Sequence, residues 1–149
     1  MTKIGDVVFI DSNVLVSFLD TVHPFRPRTL TAYRQWRTHG NLFAISPQVV
    51  GETFKTLTSS HYATGPANSA AVQALIGQVL SNSSILVYTP GRTAIDYALQ
   101  TAVKLNLTSS RIFDLLLYGT MLEHGIKKLA TFNVKHFTGL TDIEIVPIP

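Results

Sequence analysis

Four polar residues each interrupt or end an apolar stretch. Asp11 follows Val7-Val8-Phe9-Ile10, and Glu52 follows Pro47-Gln48-Val49-Val50-Gly51. Asp114 stands in Arg111-Ile112-Phe113-Asp114-Leu115-Leu116-Leu117, and Asn133 ends Ala130-Thr131-Phe132. A charge in apolar surroundings is unfavourable unless it finds a partner or a metal. Carboxylates brought together also repel one another. A hard divalent cation relieves both conditions, because Mg²⁺ and Mn²⁺ take oxygen ligands and complete their shells with water. Such an ion polarises a phosphodiester and generates a hydroxide nucleophile near neutral pH. Three acids and one carboxamide would suit a nuclease if the fold gathers them.

The gathering depends on the elements that carry these residues. Val7 to Ile10 reads as a first strand. A short helix follows, with Val14, Leu15, Phe18 and Leu19 on one face. His23 to Arg28, with Pro24 and Pro27, reads as a turn, and Thr29 to His39 as a helix stopped by Gly40. Leu42 to Ile45 is a second strand. Ser46-Pro47 is a helix start, Ser as N-cap and Pro in the first turn, and that helix should reach about Ser59. Tyr62 to Gly65 reads as a loop and Pro66 as the start of a helix with the stripe Val72, Leu75, Ile76, Val79, Leu80. Ile85 to Tyr88 is a third strand. Thr93 to Leu105 reads as a helix with Ile95, Ala98, Leu99 and Ala102 inward. Ile112 to His124 is a helix apolar on nearly every side, terminated by Gly125. Lys128 to Phe132 and Ile143 to Ile148 complete five strands.

Strands alternating with helices predict an α/β fold, a parallel sheet with helices on both faces. Every strand then ends on one rim, and ligands of open parallel sheets bind outside that rim. Asp11 ends the first strand and Asn133 follows the fourth. Glu52 and Asp114 lie in the first turns of their helices. Each also has a plainer reading: Asp11 and Asn133 as turn residues or caps, Glu52 and Asp114 as acids favoured by a helix dipole.

The chain has 149 residues, 46% of them hydrophobic and 14% charged, which suits one globular domain over 1–149 and excludes a disordered chain. Twelve Lys and Arg against nine Asp and Glu leave a net charge of +3, compatible with a polyanionic partner without requiring one. The absence of cysteine removes disulfides and thiolate metal sites. No apolar run approaches the roughly 20 residues of a membrane span, and no secretory signal is visible. A cytoplasmic protein without a membrane partner is expected.

Four segments together resemble the PIN-domain ribonucleases, and among them the VapC-like toxins of toxin–antitoxin systems. They are Phe9-Ile10-Asp11-Ser12-Asn13-Val14-Leu15, Ser46-Pro47-Gln48-Val49-Val50-Gly51-Glu52, Arg111-Ile112-Phe113-Asp114 and Leu129-Ala130-Thr131-Phe132-Asn133-Val134-Lys135-His136-Phe137. They occur in the family's order and span nearly the whole chain. The resemblance implies a three-layer α/β/α fold around a central parallel five-stranded sheet. It implies an endoribonuclease dependent on Mg²⁺ or Mn²⁺, with RNA as substrate, a VapB-like antitoxin as partner, and a homodimer. By position, Asp11 and Asp114 would ligate metal directly, and Glu52 directly or through a water. Asn133 takes the place where the family more often has a fourth acid, which weakens the hold on a second metal.

Around this set, Asn13 and Thr131 are candidates to hydrogen-bond Asp11 or a metal-bound water, as is Ser12. His136 would pack or contact phosphate. Lys55, Arg92, Arg111 and Lys135 are candidates for RNA backbone contact. His124, Asp6, Asp20, Glu123, Asp142 and Glu144 read as surface residues. Phe18, Phe25, Tyr33 and Trp36 read as core, or as part of a groove for the antitoxin. Two other functions stay open. One is a catalytically weak PIN domain used for binding, suggested by Asn133. The other is a phosphotransferase with an Asp11 nucleophile, disfavoured because Asn13 replaces the second Asp that such enzymes carry.

Overall fold

The computed structural model describes residues 6–62 and 67–149. The expected loop at 63–65 and helix start at Pro66 lie outside the described residues. The elements run β1 (Val7–Ile10), α1 (Ser12–Leu19), α2 (Arg26–Thr38), β2 (Leu42–Ile45), α3 (Pro47–Thr58), α4 (Ser69–Ser81), β3 (Ile85–Val87), α5 (Arg92–Leu105), α6 (Arg111–Glu123), β4 (Lys128–Ala130) and β5 (Glu144–Ile145). A short 3₁₀ turn, Val134–Phe137, joins the last two.

All pairings are parallel, in the order β3-β2-β1-β4-β5. The chain builds outward from β1 to β2 and β3, then crosses back to add β4 and β5 on the other side. The order therefore reverses between β1 and β4, the kind of point where parallel sheets open a ligand crevice. β1 is the central strand, and all four of its residues are buried, Phe9 completely. A continuous apolar run is what a strand covered on both faces requires.

Helix ends follow local chemistry. Ser46 Oγ accepts from the Val49 N–H and Pro47 opens α3. α2 begins at Arg26, three residues before the sequence reading. Pro27 falls in its first turn, where proline's missing N–H goes unused, so this proline opens a helix and does not bar one. β4 stops at Ala130 and does not reach Phe132, because Thr131 and Phe132 turn their polar groups to the rim. β5 keeps only two residues.

The largest departure is α5. Its buried residues are Ala94 and Ala98, while Ile95 and Leu99 face solvent. The cause lies in α6. Gly119 lets the two helices approach so closely that a methyl group there would meet the Ala94 carbonyl oxygen. Only small residues fit such a contact, so the larger ones turn outward. Leu80, expected in the α4 stripe, is likewise exposed.

Three acids expected at the surface are tied into the fold. Asp142 accepts the Tyr118 hydroxyl at 2.8 Å, and burial together with that carboxylate pushes Tyr118 up to about 12. Asp20 accepts the Tyr62 hydroxyl at 2.6 Å, and Glu123 accepts the Gly91 N–H at 2.7 Å. His124 is also engaged, its ring 4.7 Å from Tyr88 and its Nε2 3.0 Å from the Thr89 carbonyl oxygen. Phe18, Tyr33 and Trp36 pack against the core and border an apolar cavity of about 240 Å³ with Phe43 and Ile85. Phe25 stands apart from it, 40% exposed.

Gly119→Ala is expected to destabilise the protein by about 1–3 kcal/mol by forcing α5 and α6 apart. Gly77→Ala, on an open face of α4 where an added methyl meets nothing within 4 Å, should instead stabilise by about 0.5–1 kcal/mol. Urea unfolding of both variants measures the contrast, and equal effects would contradict the close contact.

Candidate active site

Asp11 follows β1 directly and caps α1. Its N–H extends the β1–β4 ladder by donating to the Ala130 carbonyl at 3.0 Å. Its side chain is 6% exposed, a carboxylate almost wholly removed from water. Three donors meet it. The Ser12 N–H reaches Oδ1 at 2.7 Å, the Thr131 hydroxyl reaches Oδ2 at 2.7 Å, and the Asn13 amide reaches Oδ2 at 3.3 Å. The capping role and the site role thus coincide in one residue.

Asn13 and Thr131 also bind each other's surroundings. The Asn13 amide lies 3.4 Å from Thr131 Oγ1, and its Oδ1 accepts the Phe132 N–H at 3.1 Å. Thr131 Oγ1 accepts the Asn133 N–H at 3.0 Å. The polar turn after β1 is in this way stitched to the turn after β4. Asn133 itself is exposed, and this link to the cluster runs through its backbone.

Glu52 comes to Asp11 from α3. The Ser12 hydroxyl donates to Oε2 at 2.7 Å and the Gln48 amide to Oε1 at 2.7 Å. The same Gln48 nitrogen donates to the Phe113 carbonyl at 3.0 Å, which joins α3 to the first turn of α6 beside Asp114. Gln48 has no assigned role in the sequence reading. Its place four residues before Glu52, on one helix face, is the signal that marks it.

Asp114 comes from α6. Arg111 Nε lies 3.2 Å from Asp114 Oδ2, and the other end of that guanidinium donates to the His136 carbonyl at 2.7 Å. His136 Nδ1 is 3.0 Å from the same Asp114 oxygen, close in distance but not aligned as a hydrogen bond. Arg111 is therefore committed to Asp114 and the 3₁₀ turn. Arg92 pairs with Asp96 at 3.0 Å on an exposed helix face.

Asp11 stands within reach of the charges of the other two acids. Burial raises the Asp11 carboxyl above its ordinary value of 3.8. The Thr131 hydroxyl and the Ser12 N–H pull it back down, and the charges of Glu52 and Asp114 push it up. Among the described residues, no three His, Cys, Asp or Glu side chains close into a cage around a metal ion. The donors are oxygen atoms on an open rim. That set fits a hard divalent ion, which keeps several waters and binds through one or two carboxylates, and does not fit a soft ion held by nitrogen or sulfur.

The PIN domain model matches residues 8–138. No curated protein matches the chain by sequence. Among solved structures, VapC20 of Mycobacterium tuberculosis, described as a sarcin–ricin loop cleaving toxin, is similar at 16% identity and a TM-score of 0.66, covering 87% of this chain and 92% of its own. VapBC2 of Rickettsia felis, bound to a DNA fragment from its promoter, is similar at 16% identity and 0.69, with 94% and 97% covered. A toxin–antitoxin complex from Klebsiella pneumoniae is similar at 18% and 0.64, with 95% and 98% covered.

The raised Asp11 carboxyl has a consequence for stability in EDTA. The folded protein holds the Asp11 proton more tightly than the unfolded chain does. Its contribution is therefore fully present below pH 3.8 and is lost as pH rises through the raised folded value. Asp11→Asn removes the titration. Wild-type stability relative to that variant should fall as pH rises above about 4. Urea unfolding across that range measures the gap, and a gap independent of pH contradicts the account.

Proposed function

Because this chain belongs to the PIN-domain family, we propose that it is a metal-dependent endoribonuclease, the toxin of a toxin–antitoxin pair. One observation carries the reading. A buried carboxylate at the β1–β4 crevice is linked through Ser12 to Glu52 of α3, and Glu52 is linked through Gln48 to the first turn of α6 beside Asp114. A fold has no structural reason to bring three acids together at a strand end, since their mutual repulsion opposes folding. A catalytic cation supplies the reason.

Asp11 and Asp114 are the direct ligands in this reading, and Glu52 acts directly or through a water. Asn133 completes the set without adding charge. Mg²⁺ or Mn²⁺, when bound, offsets the acids, polarises the phosphodiester and makes water a nucleophile near neutral pH. Thr131 and Asn13 hold Asp11 in one orientation. Ser12 and Gln48 do the same for Glu52, and Arg111 for Asp114. RNA is the substrate. The antitoxin partner is supported by the toxin–antitoxin complexes of the same fold, and the apolar cavity beside Phe18, Tyr33 and Trp36 offers that partner's apolar side chains a seat. A homodimer would cover the outward stripe Ile95, Leu99 and Val103 of α5. The whole chain acts as one domain in the cytoplasm. No helix among the described residues is long and apolar enough to cross a membrane.

A binding module without catalysis is the second reading. It is favoured by the uncharged, exposed Asn133 in the fourth position.

Purified protein freed of any antitoxin should cleave RNA with Mg²⁺ or Mn²⁺ and not in EDTA. Asp11→Asn and Asp114→Asn should each lower cleavage by at least about 100-fold while staying folded. Calorimetric titration with Mn²⁺ should show binding that both variants weaken. Wild-type cleavage no faster than either variant refutes the mechanism, and absence of Mn²⁺ binding at millimolar metal favours the binding module.

A further inference from the structure

Beside the carboxylates, the rim carries aromatic rings that the proposed chemistry does not use. Phe132 immediately precedes Asn133, and its N–H is held by Asn13, whose amide also reaches Asp11. Phe25, at the start of α2, lies against it with ring centroids 5.0 Å apart and planes at 51°. His23 meets Phe25 edge-on at 5.7 Å. The Arg28 guanidinium lies 5.1 Å from the Phe25 centroid and 5.9 Å from that of Phe132. Phe25 still leaves 40% of its surface in water.

Lone exposed apolar residues are ordinary. Here two rings and a cation are assembled one residue from the site, and a basic cleft of about 390 Å³ adjoins them. His23, Arg26, Leu30, Thr31 and Arg34 line it, and no acid does among the described residues. The neighbouring Asp20 carboxylate already accepts the Val22 N–H and the Tyr62 hydroxyl. An aromatic platform joined to a positive groove is the arrangement that takes single-stranded nucleic acid, the base on the ring and the backbone in the groove.

We propose that Phe25 and Phe132 form a shelf on which one base of single-stranded RNA stacks beside the scissile bond, with its flanking phosphate held in the cleft by Arg26 and Arg34. The assignment rests on the ribonuclease reading and adds a substrate subsite to it. One hydrogen bond separates the Phe132 backbone from Asn13, and a second separates Asn13 from Asp11, so the stacked base belongs to a nucleotide at or next to the cut. The cation behind the rings strengthens their hold on a base.

The test uses the full chain in EDTA, where RNA is not cut, and a short single-stranded oligoribonucleotide carrying 2-aminopurine. Stacking on the shelf should quench the probe as it binds. Phe25→Leu keeps an apolar side chain but loses the ring face, and should abolish the quench and weaken binding about tenfold. Phe25→Trp should retain both. Arg34→Ala should weaken binding, lower the slope of log affinity against log salt by about 1, and leave the quench at saturation intact. Wild-type quench and affinity in Phe25→Leu overturn the shelf, as does wild-type binding without quench or no binding at all. Metal-dependent cleavage separates the two levels. A wild type that cleaves, with a Phe25→Leu variant unchanged, ends the subsite and keeps the nuclease. A wild type that binds and quenches but never cleaves ends the nuclease and keeps the subsite.

Discussion

The structure depends on one buried carboxylate. Asp11 sits where β1 ends, at the point where the sheet reverses its order, and little water reaches it. An ionised group so placed is tolerated only if donors replace the water it lost. Those donors come from the residue after it, from the turn of α1 and from the end of β4. Satisfying Asp11 therefore requires β1 and β4 to be adjacent and in register, with Ile10 opposite Ala130. The constraint that makes the site also locks the centre of the sheet.

From Asp11 the order spreads through side chains that each bind two things. Ser12 gives its N–H to Asp11 and its hydroxyl to Glu52. Gln48 joins Glu52 to the backbone of α6, and Arg111 joins Asp114 to the backbone of the 3₁₀ turn. Most of these bridges are neutral donors. They orient the carboxylates without cancelling their charge, which leaves a negative focus on a protein whose net charge is +3. Oriented acids with charge to spare are what a cation site needs.

Backbone packing far from the rim sets where Asp114 stands. α6 is positioned by its contact with α5, and that contact is governed by Gly119 against Ala94. Small residues at this crossing allow the helices to lie close, at the cost of turning Ile95, Leu99 and Val103 outward. The placement of one functional acid and the exposure of an apolar stripe are thus two results of one close approach.

The pattern of strands and helices, the N-cap at Ser46 and the chain order of Asp11, Glu52, Asp114 and Asn133 were legible in the sequence, because they depend on local chemistry and on residue type. Continuous apolar runs marked β1 and β2 without error, since a strand buried on both faces must be apolar throughout. Local reading failed where a distant partner decides. It turned Ile95 and Leu99 inward, because amphipathic spacing cannot reveal that the facing helix presents a glycine. It left Asp20 and Glu123 at the surface, because their partners lie far along the chain. It could not see that Gln48 and Arg111 each reach from a carboxylate to a second element, or that Phe25 meets Phe132. The sequence by itself determined which residue types were available for chemistry and on which elements they stood. Only the tertiary structure decided which of them meet, because meeting depends on strand order and helix approach, and both are set by packing between segments distant in the chain.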